Sequence, residues 1–183
     1  MAIGAYLWFL KYDGTLLDSE SQVGVPKQPK PPEITFPPND NIFEIEGYSF
    51  DVAQLLNVGS QSASAGAGKV TFNPFSNRAS PVLFQMACSG TAFESVVLVL
   101  TKSLGGSAAA LAFERFTFKL VGVKSIAWVY DAETPKEIIT FQYGGLVIEY
   151  WMQNPDGSLS SRILGGWNRV KNIVDHDPAS VLT

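Results

Sequence analysis

Histidine and cysteine are nearly missing from this sequence: His176 and Cys88 stand alone in 183 residues. One cysteine excludes an internal disulfide framework, and one residue of each type cannot build a closed zinc site. A histidine-based triad would have to use His176, which lies between Asp175 and Asp177 in a stretch of fading apolar pattern that offers no rigid support for a nucleophile. No catalytic residue, metal site or cofactor is expected, and the acidic residues show no calcium-loop spacing. Charge is also sparse. Only 16% of residues are charged, the net charge is −4 and no basic cluster is large enough to make a face, which argues against nucleic acid and anionic membranes as partners. The longest apolar runs, such as "VVLVL" at 96–100, are too short for membrane insertion, and the first residues lack the basic segment, long apolar run and cleavage site of an export signal.

What the chain does have is hydrophobic surface, at 46% of residues, and a succession of strand-like segments. "IGAYLWFLKY" at 3–12 is apolar and aromatic and ends at "DG". In "RFTFKL", Phe116, Phe118 and Leu120 alternate with Arg115, Thr117 and Lys119, the pattern of a half-buried strand with a solvated polar face. Gly144-Gly145 interrupts "QYGGLVIEYWM" and reads as a bulge or bend at a barrel corner, and "NPDG" then turns the chain into a last strand. Short turns between strands mean antiparallel pairing.

One helix is expected, in "NRASPVLFQMACSGTAF" at 77–93. Ser80 is its hydroxyl cap, Pro81 its first residue and Gly90 its left-handed stop, while Leu83, Met86 and Ala87 share one face. Cys88, near the helix C-terminus where the macrodipole disfavours a thiolate, is expected to be buried and inert. Gly66-Ala67-Gly68-Lys69 mimics the end of a phosphate loop, but Ala63 and Val70 occupy positions that need Gly and Ser or Thr. Trp8, Trp128, Trp151 and Trp167 leave open a sugar-stacking platform on a carbohydrate-binding β-sandwich, as well as cores and subunit interfaces. Scattered carboxylates leave open a glycosidase-like enzyme.

Residues 23–41, "VGVPKQPKPPEITFPPNDN", hold six of the eleven prolines and fit neither a helix nor a central strand. They read as a long proline-rich loop inserted in one domain spanning 1–168. From 169 to 183 the apolar pattern fades, and a poorly ordered tail is expected.

The order of several motifs resembles the hemolysin-coregulated protein (Hcp) family. They are "DSES" at 18–21, "IEGYSF" at 45–50, Phe72, "ASPVLF" at 79–84, Gly90 and Phe93. "FTFKLVGVKSI", "ETPKEIITFQYGGLVIEY" and "DGSLSSRILGGWN" follow in family order, to Trp167. The sequence departs from the family in its proline-rich insert, which replaces a short histidine-containing turn, and in an Ala87-Cys88 pair that falls one residue late. The resemblance implies a mainly β fold: a small antiparallel β-barrel of two packed sheets with one short flanking α-helix. It also implies a homohexameric ring, and rings stacked into the inner tube of a type VI secretion system. That tube is driven by a contractile sheath, tipped by a valine-glycine repeat (VgrG-type) spike protein, and carries effectors. Assembly would occur in the bacterial cytoplasm, with secretion by the type VI system and no signal peptide. In the resembled family the loop at 23–41 reaches toward the next ring, which makes Pro26, Pro29, Pro31, Pro32, Ile34, Phe36, Pro37 and Pro38 candidate inter-ring or inter-subunit contacts.

Overall fold

The computed structural model describes residues 3–20, 34–52, 54–55, 64–65, 69–74, 77–102, 110–130, 135–154 and 158–182. Its strands are β1 (Ile3–Leu10), β2 (Phe43–Asp51), β3 (Gln54–Leu55), β4 (Ser64–Ala65) and β5 (Lys69–Pro74). After the helix α1 (Ser80–Ser89) come β6 (Ala92–Lys102), β7 (Leu111–Tyr130), β8 (Pro135–Gln153), β9 (Leu159–Asn168) and β10 (Ile173–Val174). All pairings are antiparallel. The main sheet runs β10-β9-β8-β5-β2-β1-β6-β7, and β7 pairs back onto β8, so six strands close into a barrel. β3 and β4 form a separate small pair.

β8 accounts for this layout. One edge pairs with β7 along most of its length, while the other pairs with β5 at Ile139–Gln142 and then, beyond Gly144, with β9 from Gly145 to Gln153. The double glycine thus marks the place where the chain leaves the closed barrel for a further strand, as its reading as a corner anticipates.

Inside the barrel, Leu7, Phe9, Phe72, Phe93, Leu98, Phe118, Ile139 and Phe141 are fully buried. Phe9 is the hub, with ring centroids 5.2 Å from Phe43, 5.0 Å from Phe93 and 5.6 Å from Phe141. Burying a side chain of this size stabilises by about 1.5–3 kcal/mol. α1 seats Leu83 and Met86 in the same cluster.

Gly90 ends α1 in the left-handed region (φ 70°, ψ 15°), as expected. The other end differs by one residue. Ala79 occupies the cap without a side-chain bond, and the Asn77 side chain instead accepts from the Ala79 N–H at 2.9 Å, while Ser80 Oγ accepts from the Asn77 N–H at 3.1 Å. Cys88 is exposed rather than buried, because the face carrying Leu83 and Met86 turns it to the surface. Among the described residues no helix is long and apolar enough to cross a membrane.

Candidate functional site

The outer wall of the barrel is built in three adjoining parts. The first is apolar. Side chains at Trp8, Val97, Val99, Ala112 and Trp151 point out of the barrel and are covered by Ile34, with Phe36, Leu16 and Leu159 at the margin. Phe36 meets Tyr6 edge-on at 6.0 Å and lies 5.8 Å from Trp8. The end of the proline-rich segment is therefore part of this chain's own packing. Ile34 is buried, Phe36 and Pro37 are partly exposed, and Pro38 leads into a short 3-10 turn at Asn39–Asn41. Pro26, Pro29, Pro31 and Pro32 lie outside the described residues.

The second part is a charged row across three strands. Glu149 on β8 is fully buried, and its carboxylate accepts from Arg115 Nε on β7 and, at 2.7 Å, from Arg162 Nη1 on β9. Two guanidiniums at one buried carboxylate satisfy its lone pairs, the condition under which such a charge is tolerated.

The third part was missed in the sequence. Thr117 and Lys119, read as a solvated face, are buried. Lys119 is only 1% exposed. Its ammonium donates to Asp175 Oδ2 at 3.0 Å, to the Asp177 carbonyl and to Ser180 Oγ. The segment expected to be a poorly ordered tail supplies all three acceptors. β10 pairs with the end of β9, the Asp175 N–H donates to the Gly166 carbonyl at 3.2 Å, and Leu182 is buried. Small residues make the seat possible: a Cβ on Gly166 would fall 2.0 Å from the Asp175 carbonyl oxygen, and one on Gly145 would fall 2.9 Å from Leu182. Burial tends to raise the Asp175 pKa, but hydrogen bonds from Lys119, Ser180 and the Asp177 N–H outweigh it and hold the carboxyl below its ordinary range. The available signal was the run "DHDPAS" nine residues after the double glycine Gly165-Gly166, but only the fold brings it to Lys119.

Beyond the barrel the wall stays open. Ile163, Gly165 and Trp167 of β9 lie opposite Tyr150, Ile148 and Leu146, which face the barrel interior, so they continue the inward face past its closure. There Ile163 is 64% exposed and a Cβ on Gly165 would meet nothing within 4 Å. Val174 extends this face beside Trp167 and is also exposed.

The four tryptophans do not make one platform: Trp8 and Trp151 are buried together, whereas Trp128 lies on β7 and Trp167 on β9. Trp128 donates from Nε1 to Glu137 Oε1 at 2.7 Å. His176 is exposed in the docked tail, and no cluster of His, Cys, Asp or Glu suited to a metal occurs among the described residues.

A closed barrel whose sheet runs on into a further strand leaves an apolar face, with Ile163, Trp167 and Val174, and a strand edge open. The chain belongs to the family described as type VI secretion system effector, Hcp, whose model matches residues 33–150. Solved structures agree on the fold. Hcp1 from Salmonella typhimurium superposes with a TM-score of 0.64 at 20% identity, covering 96% of this chain and 100% of that one. A protein titled only as belonging to a type six secretion system gives 0.69 at 21% identity, with 95% and 100% coverage. A type VI secretion system effector from Yersinia pestis gives 0.61 at 19% identity, with 90% and 98% coverage. No curated protein matches by sequence.

Proposed function

We propose that this protein is a structural subunit of a type VI secretion inner tube, closing into six-membered rings that stack and carry effectors, and that it is not an enzyme. The observation that carries this reading is membership of the Hcp family over residues 33–150. Its physical support is an antiparallel barrel with an open strand and apolar surface left over after its own core is filled. Its partners are further copies of itself, a VgrG-type spike at the tube tip, the contractile sheath outside and effectors in the lumen. It assembles in the bacterial cytoplasm and leaves through the type VI machine.

Native mass spectrometry together with negative-stain microscopy tests this. A species near six times the 19.8 kDa chain mass, seen as annular particles, is expected. Small uniform monomers at all concentrations would rule the reading out.

A further inference from the structure

Among the described residues, two that are not glycine hold a positive φ: Leu120 at 49° and Asn172 at 55°. Asparagine tolerates this region, and Asn172 sits in the turn that leads into β10. Leucine does not, and Leu120 lies in the interior of a 20-residue strand. Such a conformation persists only where its surroundings over-determine it. On one side stands Val121, fully buried in the barrel core. An extended Leu120 would turn its own side chain inward after Phe116 and Phe118 and put Val121 outside. On the other side the holding groups come from the last residues of the chain. Lys119, next to Leu120, is anchored outward by Asp175 Oδ2, the Asp177 carbonyl and Ser180 Oγ. Leu182 is seated over Gly145, the residue opposite Lys119, where an added Cβ would fall 2.9 Å from Leu182 Cδ1. Arg169 secures the partner strand: its N–H donates to the Gly144 carbonyl at 2.8 Å and its Nη1 to the Tyr143 carbonyl at 2.5 Å. Residues 169–182 thus grip the positions beside and across from Leu120.

We infer that this C-terminal segment is a clamp on β7. Its docking and the left-handed Leu120 are two ends of one equilibrium: docked with residue 120 at positive φ, or released with residue 120 extended. Such a coupling is reciprocal. Whatever eases the left-handed backbone tightens the docking, and whatever releases the segment lets residue 120 relax and draws Val121 away from the core. The end of the chain thereby sets which side chains β7 turns into the barrel beyond residue 120.

A pair of substitutions isolates the backbone term. Leu120→Ala and Leu120→Gly both take away the leucine side chain beyond Cβ, but only glycine holds a positive φ without steric cost. The Asp175 N–H, which donates to the Gly166 carbonyl at 3.2 Å, reports docking by its hydrogen exchange, and its protection relative to the amides of β6 cancels changes in overall stability. That ratio should be about fivefold or more higher in the glycine variant than in the alanine variant, the factor that corresponds to the cost of one left-handed residue. Equal ratios would overturn the inference. The converse experiment uses Leu182→Asp, which places a charge over Gly145. It should lower Asp175 protection at least tenfold and move the Cα chemical shift of Leu120 from a left-handed toward an extended value. A released segment with the Leu120 shift unchanged would overturn the inference, and so would a segment that stays docked.

Discussion

Leu120 and Gly144 face each other across the β7–β8 ladder at the point where both strands turn over. Lys119 lies opposite Gly145 and Val121 opposite Tyr143, so the register is kept, yet inward-facing residues change from Phe116 and Phe118 to Val121 on β7, and from Leu146 to Tyr143 on β8. Leu120 manages this with φ at 49°, a left-handed conformation that strains a branched side chain. Gly144 gives it room: a Cβ there would lie 3.1 Å from both Leu120 Cδ2 and Val170 Cγ2.

Gly144→Val is therefore expected to destabilise the barrel by about 1–3 kcal/mol through overpacking. The same substitution in a Leu120→Ala background should lose less than the sum of the two single effects, because the clash is shared. Chemical denaturation of the three variants measures this. Strict additivity would mean that the two positions do not meet.

The docking of the C-terminal segment gives a sharper contrast between neighbours. Gly166→Ala puts a methyl group against the Asp175 backbone, whereas Gly165→Ala points into open space. The first should release residues 173–182 and leave Lys119 to find water, and the second should leave stability within about 0.5 kcal/mol of the parent. Hydrogen exchange at Asp175 and Ser180 checks this. Equal protection in both variants would remove the docked segment from the account.

Acid should loosen the same contact. The Asp175 carboxyl has a lowered pKa in the folded protein, so its contribution is present above the unfolded value of about 3.9 and is lost as pH falls through the folded value. Protonating Asp175 removes the carboxylate that Lys119 Nζ meets at 3.0 Å. Protection of residues 173–182 should thus be flat from pH 8 to 5 and decline below about pH 4, and Asp175→Asn should remove most of that decline. The same decline in Asp175→Asn would take this carboxyl out of the account.

Elements written in local sequence were legible. The helix stop at Gly90, the Gly144-Gly145 corner and the alternation of Phe116 and Phe118 each depend on residues within one turn or one strand. What failed was non-local. Lys119 looks like a solvated strand position because the segment that buries it lies more than fifty residues later and carries no strong pattern of its own. Leu120 seemed to continue the face of Phe116 and Phe118, since alternation cannot reveal a residue at positive φ. The family was legible from the order of motifs, but the open face of β9 was not. The sequence leaves Trp167 open among a sugar platform, a core and an interface, and its place shows only once the barrel is seen to close without β9.

Ile34 is buried on the outer wall with Trp8 and Trp151, so Ile34→Ala should cost about 2–4 kcal/mol, as for other large-to-small changes in a packed cluster. Replacing residues 26–38 by a Gly-Ser linker removes Ile34 and Phe36 together and uncovers both tryptophans. The melting temperature should fall, and the tryptophan emission should shift to the red. Replacing only 23–33 spares that contact, and the change in loop-closure entropy is small because it varies slowly with length. We propose that Pro26, Pro29, Pro31 and Pro32 reach the neighbouring ring. The shorter replacement should then leave the six-membered ring intact in native mass spectrometry and reduce the number and length of tubes in electron micrographs. Tubes as long and as frequent as the parent's would show that this segment does not join the rings. Loss of the ring itself would place it at the contact between subunits within a ring.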